Sequence, residues 1–348
     1  MSEWDLLIDR KDLRRAELRE FEAPPLAEGE ARLAVERFSL TANNVTYGLI
    51  GDAFGYWKFF PAPEPFGRIP VWGFATVVES RAADAPVGLR LFGYLPMSTS
   101  FVARLVKGPG GYVDASAHRA DLPPTYNAYA EAGADEMDDY RALLRPLFMT
   151  SFLLDDFLAE DAALRTLALS SASSKTALGL AWLARRRGME VVGLTSPGHK
   201  ALLEGFGLFS RVVPYAEAGA LKLEGPAAYV DFAGDRAVTA AVHAALGPAL
   251  TRSLIVGGTH WEARAEAPPP PGVQPVLFFA PDQIRRRAGD WGMAELGRRF
   301  TEAMSQFVAA NPWLRLVRHR GAEGLQAAYA AVLEGRASPD EGHIIRLD

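Results

Sequence analysis

The residues with the clearest capacity for chemistry form a run of small and hydroxyl-bearing side chains at 170–176, which reads SSASSKT. It stands between a short apolar segment and an alanine- and leucine-rich segment typical of a helix. At the start of a helix, unpaired backbone N–H groups and the helix dipole favour an anion. Small side chains let a phosphate approach the backbone. The run therefore predicts a phosphate-binding turn, with the candidate residues Ser171, Ser173, Ser174, Lys175 and Thr176.

One interpretation of this turn is a P-loop, with the pattern G-x-x-x-x-G-K-[ST]. Lys175 and Thr176 would then take the key positions, but Leu169 and Ser174 stand where the glycines belong. Asp231 ends the apolar segment AAYVD, yet no further acidic residue of a magnesium site accompanies it. The P-loop interpretation stays open as the weaker one.

The other interpretation is a dinucleotide turn, in which the end of the next strand contacts the ribose. An acidic residue there would bind the ribose of NAD, whereas polar or basic residues would suit the 2′-phosphate of NADP. The next strand ends LTSPGHK and has no carboxylate. The sequence therefore favours NADP(H), with further contacts from Thr195, Ser196, His199 and Lys200.

Composition excludes several other classes of protein. The 348 residues include no cysteine, which removes disulfides, thiolate chemistry and every cysteine-containing zinc site. A net charge of −5 without a long basic run argues against a nucleic-acid partner. The start, MSEWDLLIDRKDLRR, is charged where a signal peptide is apolar, and no apolar run reaches the roughly 20 residues of a membrane span. We expect a cytoplasmic protein with no membrane partner.

The sequence has two regions with different secondary-structure patterns, and these regions must position the candidate residues. The first third is β-rich, as in the alternating segment ARLAVERFSL, and a glycine- and proline-rich stretch at 51–70 predicts a long irregular loop. From about residue 146, apolar strands alternate with helices, which is typical of a parallel sheet covered on both faces. The tail is too short for its own core. We predict an α/β protein with a β-rich domain at 1–145 and 311–348 and a doubly wound, NADP-binding domain at 146–310.

In this order, the motifs resemble the zinc-free, quinone-oxidoreductase-like branch of the medium-chain dehydrogenase/reductase superfamily over most of the chain. EGEARLAVERFSLTANNVTYG is similar to an early catalytic-domain strand and loop, and TLALSSASSKTALGLAWLARRRG to the cofactor core written around A-x-G-G-V-G. Trp72 and Gly73 occupy the places of the family's His-Glu. Serines and a threonine replace the glycines of the turn, and the segment 107–145 is longer than usual, which indicates a divergent bacterial branch. The resemblance implies a GroES-like catalytic domain beside a Rossmann domain.

The resemblance also implies further cofactor contacts. Tyr215, in VVPY, should lie by the adenosine 2′-phosphate, and Thr150 should lie near the nicotinamide. Gly257, Gly258 and Thr259 follow the strand beside the cofactor, and Phe279 should pass its backbone by the carboxamide.

For catalysis, the resemblance points to the loop TANNVTYG. Asn43 and Asn44 would donate amide hydrogen bonds to a substrate carbonyl, and Tyr47 would donate a proton, although Asn-Asn is also a common turn pair. The aromatic run FGYWKFF could cover an apolar substrate or simply pack. The histidines have no metal-ligand spacing, so no metal is expected.

These observations predict an NADPH-dependent, zinc-independent oxidoreductase that reduces a carbonyl or an activated C=C bond of a small, apolar, quinone- or enone-like substrate. The alternative is an NADP(H)-binding sensor or binding protein that kept the fold without turnover. A P-loop-like enzyme acting on nucleoside triphosphates is the lesser alternative. Family analogy also implies a homodimer.

Overall fold

The computed structural model describes residues 3–108, 110–256 and 270–347. The chain divides into two compact units, the first made of Met1–Arg145 and Leu314–Asp348 and the second of Pro146–Trp313.

The strands of the described residues are β1 (Glu3–Asp9), β2 (Ala16–Phe21), β3 (Ala31–Leu40), β4 (Phe66–Gly67), β5 (Pro70–Ser80), β6 (Arg90–Pro96), β7 (Ser100–Ala103), β8 (Leu105–Gly108), β9 (Gly111–Asp114), β10 (Ala128–Glu131), β11 (Thr166–Leu169), β12 (Glu190–Thr195), β13 (Arg211–Pro214), β14 (Ala227–Asp231), β15 (Leu250–Val256), β16 (Val276–Phe278), β17 (Arg315–Arg320) and β18 (Glu341–Arg346).

The α-helices are α1 (Ala42–Leu49), α2 (Asp138–Ala159), α3 (Lys175–Arg186), α4 (Lys200–Gly205), α5 (Arg236–Leu246), α6 (Ala280–Trp291), α7 (Met293–Ala310) and α8 (Gly321–Leu333). Short 3₁₀ turns occur at Tyr56–Lys58, Ala117–Arg119, Pro124–Tyr126, Pro197–His199, Tyr215–Ala220 and Gly247–Ala249.

The first unit is built on a large, mainly antiparallel sheet. Its described strands follow the order β17-β18-β3-β5-β6-β10-β9-β8, with β7 also paired to β3, and β2-β1-β4 form a smaller sheet. The long strand β3 is central because apolar side chains on it meet both neighbours, as where Phe38 pairs with Gly73 on β5 and with Ile345 on β18. The C-terminal strand thus completes the sheet begun by the N-terminal third.

A charge cluster ties the start of α2 to this sheet. Asp139, almost fully buried, accepts hydrogen bonds from Arg37 at 2.9 Å, Arg318 at 2.7 Å and Arg346 at 3.0 Å. Burial alone would raise the pKa of Asp139, but the hydrogen bonds from the three arginines hold it below its usual value. A single carboxylate therefore connects β3, β17 and β18 to α2.

The second unit contains a six-stranded parallel sheet with the order β13-β12-β11-β14-β15-β16. Every residue of β11 and β14 is buried, as expected for central strands of a parallel sheet. With β11 counted as the first strand, the strand order is 3-2-1-4-5-6, which is that of the Rossmann fold. The second and third strands lie on one side of β11 and the next three on its other side, so the strand order changes direction between β11 and β14. Ligands of such sheets bind at the carboxyl ends of the strands beside this reversal.

One helical segment near the end of the second unit differs from the sequence pattern. The amphipathic segment at 281–310 is two helices, α6 and α7, because Gly292 takes a positive φ of 83° that ends one helix and begins the next. Within the described ranges, none of the helices has the length and apolar character that a bilayer span requires.

Candidate functional site

The predicted phosphate turn leads from β11 directly into α3. Ser174 caps this helix, since its Oγ accepts a hydrogen bond from the N–H of Ala177 at 3.2 Å. Ser171 is the only non-glycine among the described residues with a positive φ, 46°, a conformation that glycine adopts more easily. The turn therefore keeps the backbone shape of a glycine-rich loop without its glycines. The side chains of Ser173, Lys175 and Thr176 are partly exposed beside it.

Tyr215, which directly follows β13, reaches this turn. Its hydroxyl oxygen accepts a hydrogen bond from the backbone N–H of Ser171 at 2.9 Å. Burial raises the pKa of Tyr215, and the hydrogen bond from Ser171 offsets part of that effect. The tyrosine expected at the adenosine 2′-phosphate thus also supports the shape of the phosphate turn.

Ser170, which follows β11, is hydrogen-bonded to the end of the neighbouring strand β14. Its hydroxyl donates to Oδ1 of Asp231 at 2.8 Å and accepts from the backbone N–H groups of Phe232 at 2.8 Å and Ala233 at 3.0 Å. Both Ser170 and Asp231 are almost fully buried. All the hydrogen bonds of this hydroxyl are made within the protein, so the side chain of Ser170 offers no polar group to a ligand. Nothing in the sequence signalled the pairing, because the two residues are 61 positions apart.

The end of β12 carries the residues expected to distinguish NADP from NAD. Thr195 is buried, Ser196 is half-buried with its Oγ 3.4 Å from Nδ1 of His199, and Lys200 begins α4. Nζ of Lys200 lies 4.0 Å from Oε1 of Glu204 on the next turn. A cavity of about 210 Å³ adjoins Lys200 and Glu204, and its other charged lining residues are Arg211 and Glu217. Two cations and two carboxylates therefore share this cavity.

The remaining cofactor candidates lie on other elements of the second unit. Thr150 is on α2, with its hydroxyl 3.4 Å from the carbonyl oxygen of Pro146. Phe279 follows β16 and is 45% exposed. Gly257, Gly258 and Thr259 lie outside the described residues.

Close packing fixes the start of α3. Gly179 approaches α2 so tightly that a Cβ at this position would lie 2.7 Å from Oγ of Ser151. The same Oγ donates to the carbonyl oxygen of Thr176 at 2.7 Å. Gly179 thus permits the close packing of α3 on α2, a few residues after the start of α3.

In the first unit, the segment predicted to be a catalytic loop is a helix, α1. The helix forms because Asn44 closes its first turn, accepting a hydrogen bond from the N–H of Thr41 at 2.8 Å. The Nδ2 group of Asn44 donates to the carbonyl oxygen of Pro70 at 3.0 Å. Asn44 is buried, and both polar groups of its side chain serve the fold. This geometry favours Asn43, which is half-buried, as the amide donor.

Tyr47, on the same helix, belongs to an aromatic cluster that we define as Tyr47, Tyr56, Tyr94 and Tyr126 around Trp72. The indole Nε1 of Trp72 lies 3.4 Å from the Tyr47 hydroxyl oxygen, to which it donates. The hydroxyls of Tyr56 and Tyr126 are 3.3 Å apart. Ring centroids of Trp72 and Tyr94 are 5.0 Å apart, and those of Trp72 and Tyr126 are 6.0 Å apart. Four phenols and an indole thus form one cluster, in which Tyr47 and Tyr94 are buried.

The environment keeps these phenols protonated. Burial, with a smaller effect from Tyr126, raises the pKa of Tyr47 above its usual value, and burial likewise raises the pKa of Tyr56 to about 12. A protonated phenol can donate a hydrogen bond or a proton to a developing oxyanion. Sequence reasoning found Tyr47 but not Tyr126, because Tyr126 reaches the cluster from the unusually long segment 107–145.

Trp72 and Gly73, at the position where the family resemblance places a metal-binding His-Glu pair, serve the packing of the first unit. Trp72 packs in the aromatic cluster, and Gly73 sits so close to β3 that a Cβ would overlap the backbone of Arg37 and Phe38. No side chain larger than hydrogen fits at Gly73 without moving the strand.

The class of protein follows from the two units. A mainly antiparallel β-sheet unit and a Rossmann unit in this chain order make up the fold of the medium-chain dehydrogenases/reductases, which confirms the predicted fold. The structure is similar over 100% of the chain to CurA in complex with NADPH from Vibrio vulnificus, with a TM-score of 0.67, 16% identity and 99% of that chain covered. It is also similar to the quinone oxidoreductase from Coxiella burnetii, with a TM-score of 0.61, 12% identity and 100% of both chains covered.

A third similar structure is the yhdH oxidoreductase from Salmonella enterica in complex with NADP, with a TM-score of 0.59, 16% identity, and 99% of this chain and 100% of that one covered. The chain belongs to the family described as protein of unknown function (DUF2855), whose model matches residues 38–338. No curated protein sequence matches it significantly.

Proposed function

We propose that this protein is an NADPH-dependent, metal-independent reductase of a carbonyl or activated C=C bond in a small molecule. The observation that carries the proposal is the grouping of polar residues at the carboxyl edge of the parallel sheet, around the turn at Ser171 and the strand end at Ser196. This is the edge at which Rossmann folds bind dinucleotides.

The residues present fit NADPH. The first turn of α3 offers backbone N–H groups to the pyrophosphate, with Lys175 adding positive charge. Lys200, at the start of α4, supplies positive charge for the 2′-phosphate, and no carboxylate follows β12 directly to bind the ribose of NAD. The NADPH and NADP in the structures of CurA and yhdH support the same choice.

When bound, the nicotinamide would supply a hydride to the substrate. The chain's own residues would orient the acceptor, exclude water and donate to the oxygen on which charge develops. Asn43 and Tyr47 are the donors that we assign, with Trp72 holding the Tyr47 hydroxyl in place. The metal-free assignment rests on the absence of cysteine and on Trp72 and Gly73 at the expected ligand positions.

The first test is calorimetric titration with NADPH and NADH, followed by NADPH oxidation against a panel of quinones, enones and aldehydes. We expect tighter binding of NADPH and turnover with one class of acceptor. Lys200→Glu should weaken NADPH far more than NADH, while Lys107→Glu, the same charge reversal on β8 of the first unit, should change neither. Equal losses for both nucleotides in Lys200→Glu would refute the 2′-phosphate assignment. Failure of folded protein to bind NADPH, or preferential binding of ATP, would refute the cofactor.

A non-catalytic NADP(H)-binding protein is the second candidate. It is favoured by the full engagement of Asn44 within the fold and by serines at the glycine positions of the turn. NADPH binding without oxidation across the whole acceptor panel would support this candidate over the reductase.

A further inference from the structure

Four arginine side chains meet on one face of the large sheet in the first unit. In the antiparallel pair of β3 and β18, Arg37 lies directly opposite Arg346, and in the parallel pair of β17 and β18, Arg320 lies opposite Arg346. Arg318 is two residues before Arg320 on β17 and therefore projects from the same face. Like charges at directly opposed positions destabilise a sheet. The register thus places three arginines in one row across three adjacent strands.

A single carboxylate, that of Asp139, is shared by three of these arginines. Arg37, Arg318 and Arg346 all donate hydrogen bonds to it. The buried Nε atoms of Arg37 and Arg346 nevertheless have no hydrogen-bond acceptor among the described residues. One carboxylate therefore leaves part of the charge and of the hydrogen-bonding capacity of three guanidinium groups uncompensated.

The acidic side chains at the start of α2 and on β3 do not compensate the remaining charge. Asp138 and Glu36 each lie 2.8 Å from a guanidinium nitrogen of Arg90, which pairs with both. The side chain of Arg320 is exposed and makes no hydrogen bond or ion pair with any residue that the structure describes. Within the described part of the chain, Arg320 is therefore a cation beside other cations.

The N-terminus of α8 adds to this positive charge. The helix begins at Gly321, directly after Arg320, and no side chain caps it. The first N–H groups of such a helix carry the positive end of its dipole and need acceptors. Glu323, in the first turn, forms no ion pair with Arg320. An anion beside Arg320 would therefore interact favourably with the arginine row and with the helix dipole.

The arginine row is open to solvent at its β17 end. Strand β17 is the outer strand at one end of the described sheet. The side chains of Arg318 and Arg346 are 53% and 23% exposed, and Arg320 is exposed as well. A ligand in solution can therefore reach these three guanidinium groups at the surface of the first unit.

We propose that Arg318, Arg320 and Arg346 bind a phosphoryl group, carried by inorganic phosphate or by a phosphate monoester. The planar guanidinium fork matches two oxygen atoms of a phosphate and stays protonated at neutral pH. A phosphate dianion offers more acceptor oxygens than a carboxylate and can bridge several arginines. Residues that break a local rule of sheet stability are expected at functional sites, and the opposed arginines fit this expectation. The site is separate from the reductase activity proposed above and does not depend on it.

Labelling with phenylglyoxal, which modifies accessible arginines, tests the location of the site. The full chain is labelled at constant ionic strength in phosphate or in chloride, and the labelled peptides are measured by mass spectrometry. We expect saturating phosphate to slow labelling of Arg318 and Arg320 by about threefold or more. Arg315, on the same strand but paired with Asp340 and Glu341, should be labelled at an unchanged rate.

Calorimetric titration with inorganic phosphate measures the affinity. Arg320→Met should weaken binding by about five- to tenfold, as loss of a charged hydrogen-bond donor predicts. Arg320→Lys should fall between wild type and Arg320→Met, because lysine keeps the charge but not the planar fork. Arg315→Met is the matched control and should change the affinity by less than about twofold. Circular dichroism melting checks that each variant folds.

The phosphate turn of the second unit is a second place at which phosphate could bind. Lys175→Met weakens that site, so protection of Arg318 and Arg320 from phenylglyoxal should persist in Lys175→Met. Phenyl phosphate identifies the source of the phosphoryl group. An affinity equal to that of inorganic phosphate supports a monoester as the ligand, whereas weaker binding of phenyl phosphate supports the free anion.

Three results would overturn the proposal: labelling of Arg318 and Arg320 that phosphate slows no more than chloride does, equal protection of Arg315, or wild-type phosphate affinity in Arg320→Met. Loss of the protection in Lys175→Met would also overturn it and assign the phosphate to the turn of the second unit. NADPH and an acceptor take no part in these measurements, so a failure of the proposed reductase leaves their outcome unchanged.

Discussion

The hydroxyl oxygen of Tyr215 accepts a hydrogen bond from the backbone N–H of Ser171 at 2.9 Å, and so joins the end of β13 to the turn after β11. Ser171 needs this support because its φ of 46° is unfavourable for a residue with a side chain. A tyrosine hydroxyl thus maintains a turn that glycines usually form by themselves.

Tyr215→Phe should weaken NADPH and NADH alike, by about three- to tenfold, because the turn loses one hydrogen bond that both nucleotides depend on. Calorimetric titration with each nucleotide measures the effect. Ser196→Ala, beside the ribose end, is the comparison and should act mainly on NADPH. A loss confined to NADPH in Tyr215→Phe would instead assign the hydroxyl to the 2′-phosphate alone.

Ser170→Ala should lower the free energy of unfolding by about 2 to 3 kcal/mol, because it removes a donor to the buried Asp231 carboxylate and an acceptor for two backbone N–H groups. Urea denaturation provides the measurement. Ser173→Ala, a half-buried serine of the same turn, should cost less than about 0.5 kcal/mol. Similar losses in the two variants would contradict the special position of Ser170.

Glu204→Gln should strengthen NADPH binding by about twofold, because Glu204 lies 4.0 Å from Lys200 and competes with the 2′-phosphate for its charge. NADH affinity should not change. The gain should shrink as salt is added, since the carboxylate and the lysine are both substantially exposed. An equal gain for NADH, or a gain insensitive to salt, would argue against this competition.

His243 should make the protein less stable in mild acid. Its Nδ1 lies 3.2 Å from the carbonyl oxygen of Pro271, to which it donates, and its Nε2 lies 2.9 Å from the Ser253 hydroxyl oxygen, so the buried ring is held on both sides. Burial lowers the pKa of His243 below 6.5, although the hydrogen bond to Pro271 opposes the change.

The unfolded chain therefore takes up a proton at a pH where the folded chain does not, and the free energy of unfolding falls as the pH drops below about 6.5. His243→Gln should flatten this dependence in urea denaturation at about pH 7.5 and about pH 5.5. Burial also lowers the pKa of His319, so His319→Gln should flatten the pH dependence as well. An unchanged slope in His243→Gln would contradict the assignment.

Local sequence was sufficient for the parallel sheet and its turn. The four apolar residues of β11, the serine-rich run and the helical pattern of α3 adjoin in the chain, so their order alone indicates a strand, an anion-binding turn and a helix. The same holds for β3, whose alternation of apolar and polar residues over ten positions is a strand signal. Where the local signal was ambiguous it misled: TANNVTYG has the polar residues of a loop, but Asn44 closes a helical turn there.

The chemistry of the site depended on contacts between distant residues, which no local pattern records. Ser170 belongs to the serine-rich run, but the fold brings Asp231 to its hydroxyl. Tyr215 is predicted to lie by the adenosine 2′-phosphate, and the fold also brings its hydroxyl to the backbone N–H of Ser171. The sequence by itself determined that a small-residue turn would end β11 at the start of a helix, because strand, turn and helix are written in consecutive residues. Only the tertiary structure decided which hydroxyls face the turn, because the positions of their partners on neighbouring strands are set by the packing of the whole sheet.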